Sequence, residues 1–442
     1  MIKNTTEEKK IFSFDKNFSH NILFSKPDKY KSLEDISNNY DEIISTGSNL
    51  SYSPLALNKD GILLELKKFN RILGFNKEEK IITVEAGMNL MEFLNFTLKE
   101  NLWIPQLPGY PTITIGGAVA ANSHGKSCGI HGTIRNSIKS ILLFHKINGW
   151  INLSENENKE IFDLTIGGLG LTGTIVSVTF NLSKIDNTRF NTTKHKVNSL
   201  NECKNFFNEK NSKNSFIYSW HRADDLKNLG KGFVYENVLD MKSVKKFENL
   251  SKKTFKFKPF IFPLWNKLSI KFINNFFFIF NNLSKKENNE DFLKVIFPFY
   301  GKESYFNFFG KKGFLESQLL IGEQNLDQFI DEFKNLYKTY KPAITLLSLK
   351  NMSGEQKYIR FEDNKICFTF DLIKNKSSLL FMNEIDKLCV KYQILPSIIK
   401  DSRITKETFY DSYKYASDFK SKLYLFDKKR VYKSEVSKRL EI

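Results

Sequence analysis

The sequence predicts an α+β protein of two larger units and a short closing segment, on three observations. Its 442 residues, 41% hydrophobic and 26% charged, are enough for two or three domains with their own cores, and that composition excludes a disordered, collagen-like or polytopic membrane chain. Up to about residue 187, short β-type runs alternate with glycine-rich turns and short helical patterns. From about 188 to 394, strand-like runs are separated by helical or charged stretches. The expected units are therefore 1–187, 188–394 and 395–442, the last basic, helix-forming and too small to fold alone, so that it must pack back on an earlier unit.

In order along the chain, residues 44–53 contain a turn, 61–66 read as a strand, and 81–86 as a strand closed by Gly87. An amphipathic helix follows from Asn89, a good N-cap residue, with Met91, Leu94 and Leu98 on one face. Glycines then cluster in 108–129 and 166–182, where turns must approach something closely. In the second unit, 216–220, 314–321 and 366–372 read as strands, and no internal repeat is evident. Residues 260–283 are apolar but broken by Lys267, Lys271 and several asparagines, so they do not make a bilayer span. They read either as a core or lid helix, with the lid around 255–290, or as a segment in a membrane interface with Trp265 and the phenylalanines toward lipid.

The net charge is 67 − 49 = +18. Without a zinc-finger spacing, a basic heptad region or an RNA-binding aromatic signature this does not point to nucleic acid, and abundant Lys, Asn and Phe fit composition drift from AT-rich coding. Cys128, Cys203, Cys367 and Cys389 are too scattered for a disulfide framework and form no CxxC pair. With no apolar stretch of the secretory kind at the start, a reducing, cytoplasmic setting is expected. Cys128, flanked by glycine, is expected to be exposed, and no metal site is expected.

Three glycine-bearing segments, 47–52, 116–126 and 167–173, could cradle a phosphate with backbone N–H groups or be tight turns. None is a Walker loop. Gly168, Gly170 and Gly173 satisfy GxGxxG but open onto a β-branched run, not a helix, so the dinucleotide fingerprint in its Rossmann context is not met.

Taken together, these segments resemble the flavin-binding domain of the vanillyl-alcohol-oxidase-type (PCMH-type) flavoproteins, within them the decaprenylphosphoryl-β-D-ribose 2′-oxidase branch, with sugar-lactone oxidases as near relatives. LWIPQLPGYPTITIGGAVAANSHGKSCG, from Leu102, is similar to that branch's Pro-Gly turn, TVGGAIA run and HGK motif in order and spacing. GSNLSY is similar to its GLGRSYG loop, with Asn49 where glycine is usual; Asn tolerates a left-handed turn well. YSW at 218–220, GFLESQ at 313–318, the Leu349-Lys350 pair, and KDSR at 400–403 with the terminal RVYKSEVSKRLEI extend the resemblance over nearly the whole chain.

The resemblance implies a two-subdomain FAD-binding domain and a substrate or cap domain on an antiparallel sheet with flanking helices. FAD would be held noncovalently by Gly47, Ser48, Asn49, Leu50, Ser51 and Tyr52; Pro108, Gly109 and Thr112; Gly116, Gly117, Ala121, Asn122, His124 and Gly125; and Gly168, Gly170, Thr172, Gly173 and Ile175. Tyr52, Trp220, Glu316, Gln318, Lys350, Lys365, Cys367 and Lys400 would line the substrate cavity. Lys400, His124 and Lys126 would serve catalysis, with Lys400 the first choice for the chemistry. Glu316, Lys365, Thr369 and Phe297 stand where Gln, Asn, Asp and Tyr are expected, which touches the substrate more than the cofactor. A buried Glu316 needs a partner, expected in Lys365 or Lys350.

The implied reaction is oxidation of a secondary hydroxyl of a polyprenylphosphate-linked sugar, with hydride passing to flavin and the proton to a lysine whose pKa is lowered by burial. The implied partners are a separate short-chain reductase and, through the basic and apolar lid, an anionic membrane on its cytoplasmic face. The alternatives are an aldonolactone oxidase acting on a soluble sugar lactone, against which HGK stands in place of HGSG, and a non-catalytic basic membrane-binding protein.

Overall fold

The computed structural model describes residues 6–209, 215–240, 250 and 263–442. The first half holds two sheets. In a four-stranded sheet, Glu7–Phe12 pairs antiparallel with Ser19–Ser25, which lies parallel to Ile62–Glu65, itself parallel to Ile43–Thr46. The second sheet is antiparallel, in the order Ile72–Asn76, Ile81–Glu85, Thr174–Asn181, Ile138–His145 and Gly149–Ser154. Asn89 caps the helix Leu90–Thr97 by accepting from the Glu92 N–H at 2.9 Å. The face that helix buries is Leu90, Phe93, Leu94 and Thr97; Met91, expected inside, is only half-buried.

An antiparallel eight-stranded sheet follows, in the order Glu287–Asp291, Arg189–Val197, Gly232–Leu239, Ser215–His221, Ile344–Met352, Lys365–Ile373, Phe314–Ile321 and Leu395–Pro396. Strand alternation gives this sheet two different faces. Leu315, Leu319, Leu347, Leu349, Phe368 and Phe370 turn outward into a core with the helices Glu323–Tyr340 and Lys376–Lys391. The opposite face carries, by register, three cross-strand rows: Glu316, Asp371 and Leu346; Gln318, Thr369 and Ser348; and Leu320, Cys367 and Lys350. Those rows turn toward the glycine-rich loops.

The chain's last stretch reaches the first sheet, where the Ile43 N–H donates to Val431 O at 2.9 Å and the Lys433 N–H to Ile43 O at 3.1 Å. Tyr432, fully buried, joins Leu33, Ile36, Ile43 and Ile62 in one core.

The apolar segment forms the helix Lys267–Leu283, capped by Asn266. Residues 255–262 of the expected lid lie outside the described residues. Trp265 is not turned to lipid: it is 5% exposed, ringed by Tyr305, Phe308 and Phe309, with its indole N–H donating to Tyr305 O at 3.0 Å. Among the described residues no helix is long and apolar enough to cross a membrane, and no group of three or more His, Cys, Asp or Glu could hold a metal ion.

Candidate active site

A cavity of about 450 Å³ lies where the glycine-rich loops meet the inner face of the eight-stranded sheet, within the roughly 300–1,000 Å³ of cofactor and ligand sites. Gly47 through Tyr52, Pro108, Gly109, Gly116, Gly117, Ala121, His124, Gly125, Lys126, Gly170, Gly173 and Ile175 all line it. The glycines are there for closeness. A Cβ on Gly47 would sit 1.9 Å from Thr114 Oγ1, and one on Gly125 1.8 Å from Leu107 O. Asn49 takes the left-handed turn at φ +51°. The GxGxxG segment runs straight into the strand Thr174–Asn181.

Four expected cofactor residues stand behind this wall instead of on it. The Thr112 carbonyl accepts from Ser48 Oγ at 2.5 Å. Asn122 turns away to donate to Glu362 Oε2 at 2.8 Å, a carboxylate that also accepts from Thr133 Oγ1 at 3.0 Å. Gly168 is pressed against Leu164 O, 1.9 Å from where a Cβ would lie, and Thr172 shares a hydrogen bond with Thr165 at 2.9 Å. All four brace the loops.

The floor carries the charged groups. Lys350 Nζ donates to His124 Nδ1 at 2.9 Å. Burial, then the charges of Lys350, Lys400 and Lys126, hold His124 well below the usual imidazole range, so the ring is neutral at pH 7. Burial and Lys350 likewise bring Lys126 down to about 7, although its ammonium sits 4.1 Å from the Tyr218 ring centroid, which favours charge. Both side chains are only partly covered by protein because they face the open cavity. Lys400 Nζ lies 3.3 Å from Glu316 Oε1 and 3.6 Å from the Tyr52 ring centroid.

Tyr52, Glu316, Gln318, Lys350 and Lys400 line the cavity as expected; Trp220, Lys365 and Cys367 do not. Trp220 is taken up by Phe277 of the apolar helix, ring centroids 4.4 Å apart. Lys365 pairs with Asp363 at 2.8 Å. Cys367 is fully buried in a core with Leu320 and Leu395. The partner of Glu316 is thus Lys400, not Lys365 or Lys350. Phe297 packs in the core against Phe292, and Cys128 is buried, not exposed. Sequence reasoning missed Asp371, Ser348 and Thr114 on the wall. The alternation from Cys367 through Thr369 to Asp371 was the signal for the first of these.

These residues fit FAD: main chain that only glycine lets come so close can wrap a diphosphate, and Leu55, Ala86, Ala118 and Ile175 give an apolar bed beside the cations. Residues 31–149 match a family model described as an FAD binding domain. With the α+β architecture and the relatives below, the chain is an FAD-dependent oxidoreductase with a PCMH-type FAD-binding domain, acting on CH–OH groups. Over 432 residues, 90% of this chain and 89% of the other, it is 25% identical to decaprenylphosphoryl-beta-D-ribose oxidase of Mycolicibacterium smegmatis. It is also 31% identical over 121 residues to L-gulonolactone oxidase of Mus musculus, 27% of each chain. To the mitochondrial L-galactono-1,4-lactone dehydrogenase of Arabidopsis thaliana it is 27% identical over 160 residues, 35% of this chain and 26% of that one.

Proposed function

We propose that the protein oxidises a secondary hydroxyl of a polyprenylphosphate-linked sugar to a ketone, as the oxidase half of a 2′-epimerisation completed by a separate reductase. The observation that carries this reading is extent. The likeness to decaprenylphosphoryl-beta-D-ribose oxidase covers 90% of the chain, and so takes in the sheet that walls the cavity; the lactone enzymes named above match 27% and 35% of it.

When bound without a covalent link, FAD supplies the hydride acceptor. The chain's own residues orient the carbinol and take its proton. With a pKa of about 7, Lys126 is half amine at neutral pH, which suits it to receive the hydroxyl proton at Nζ. Neutral His124, fixed through Nδ1 by Lys350, keeps Nε2 for a substrate oxygen, and Lys400, held by Glu316, is a donor. The positive charge left on Lys350 and the protonated share of Lys126, after Glu316 offsets Lys400, favours an anionic substrate group. Anaerobic addition of polyprenylphosphoryl pentose is expected to bleach the flavin absorbance while a sugar-1,4-lactone does not; the opposite preference means a lactone oxidase, and no response to either overturns the reading.

A lipid-linked substrate also gives the apolar helix a role at the cytoplasmic membrane face. Leu268, Phe272, Phe276, Phe280 and Leu283 are 62–81% exposed along one side, and Lys267 and Lys271 flank them with no acidic residue in the helix. The opposite side packs through Phe277 and Phe278 on Trp220 and Phe233. Phe272→Asp with Phe276→Asp is expected to weaken sedimentation with anionic vesicles by about a hundredfold or more, since each of the two phenylalanines inserted is worth at least ~1.4 kcal/mol. Unchanged sedimentation removes this role.

A further inference from the structure

Glu316 and Asp371 face each other directly across two strands and put two carboxyl groups on one cavity wall. Both are almost wholly covered by protein, Glu316 being 5% and Asp371 1% exposed. The single ion pair they have among the described residues goes to Glu316: Lys400 Nζ is 3.3 Å from its Oε1, and Gln318 Nε2 donates to the same oxygen at 3.0 Å. Asp371 Oδ2 accepts from the Tyr305 hydroxyl at 2.7 Å, and that hydroxyl also meets Thr345 Oγ1 at 2.7 Å. Asp371 Oδ1 is buried with no partner among the described residues. As a carboxylate oxygen it would be an orphan acceptor; as a carboxylic O–H it becomes a donor, and the acceptor across from it is Glu316.

We infer that Asp371 is a positioning residue that works as a neutral acid: it shares one proton with Glu316, and the anionic Glu316 so held pins Lys400 as an ammonium over Tyr52. The charge count on this wall then closes, with one anion, one cation and one neutral acid. The other titratable groups facing the pair are the phenols of Tyr305 and Tyr52, both raised well above their ordinary value by burial and then by these carboxyls, with Lys350 further along the same wall. Burial first, and Glu316's charge next, hold the Asp371 carboxyl well above the usual carboxylate range. Pinned in this way, Lys400 can donate to a substrate oxygen but cannot take a proton from it. The inference needs only the folded flavoprotein, not the lipid-linked substrate.

The test is made on FAD-loaded protein without substrate. Infrared difference spectra in H₂O and D₂O at neutral pH are expected to show a deuterium-sensitive carboxylic acid band in the wild type. The band should vanish in Asp371→Asn, and also in Glu316→Gln, where Asp371 gives up its proton to become the counter-ion of Lys400. Urea unfolding between pH 5 and 8 reads the same proton. A folded-state pKa raised above the unfolded value of about 3.9 means the native state keeps a proton that the unfolded chain has released, so stability falls as pH rises through that window. The wild-type unfolding equilibrium is expected to steepen relative to Asp371→Asn by up to tenfold per pH unit. Tyr305→Phe, which keeps both carboxyls, should keep the band with a shifted frequency even if Asp371→Asn folds poorly. No carboxylic band in the wild type, or a band that survives in Asp371→Asn, overturns the assignment.

Discussion

Replacing Lys126 with methionine is expected to slow flavin reduction by about 10²- to 10⁴-fold, the usual contribution of a positioned proton acceptor, with FAD still bound. Methionine keeps the length and the contact with Tyr218 but cannot take a proton. The pH profile separates this from a packing defect. A lysine lowered to about 7 gains its amine form as pH rises, so the wild-type rate of reduction should climb through that value and then level. Lys126→Met should be slow and flat across the same range. A variant that is slow but keeps the climb would move the base to another group.

The second large effect is on cofactor retention. Gly125→Ala places a methyl group 1.8 Å from Leu107 O, against the backbone bridge that joins Pro108 to Gly125. Backbone cannot swing aside as a side chain can, so the loop that carries His124 and Lys126 must move off the wall. Overpacking of this kind costs about 1–3 kcal/mol, which corresponds to roughly one to two orders of magnitude in FAD affinity. The absorbance ratio of flavin to protein after gel filtration reads it directly. Gly74→Ala, with open space around its Cβ, serves as the control.

Gly47, Gly125 and their neighbours were legible because a missing Cβ is itself a statement about distance, and the loops that hold them do meet at one cavity. The strands at 314–321 and 366–372 were legible as apolar-rich runs with no glycine or proline inside them. Register was not: nothing local says that Glu316 stands across from Asp371, 55 positions along the chain, and so neither the carboxyl pair nor the Lys400 partnership could be foreseen. Trp220 and Cys367 were misplaced for a related reason. Their types and neighbours suit a cavity wall, but a helix whose docking depends on tertiary packing claims Trp220, and Cys367, in the same cross-strand row as the cavity-lining Lys350, is closed off in a core with Leu320 and Leu395. Trp265 is buried because Tyr305, Phe308 and Phe309, some forty residues later, close over it. Lys126 shows the same limit. The sequence offered three lysines, and only their environments set apart the one brought down to about 7 from the one held by a carboxylate.

The most direct measurement is rapid anaerobic mixing of the FAD-loaded protein with polyprenylphosphoryl pentose carrying deuterium at the carbinol carbon. The account requires the flavin band to fade in a single turnover, more slowly for the deuterated sugar than for the protiated one, since the C–H bond is broken in that step. A flavin band that stays unchanged with both sugars would contradict it.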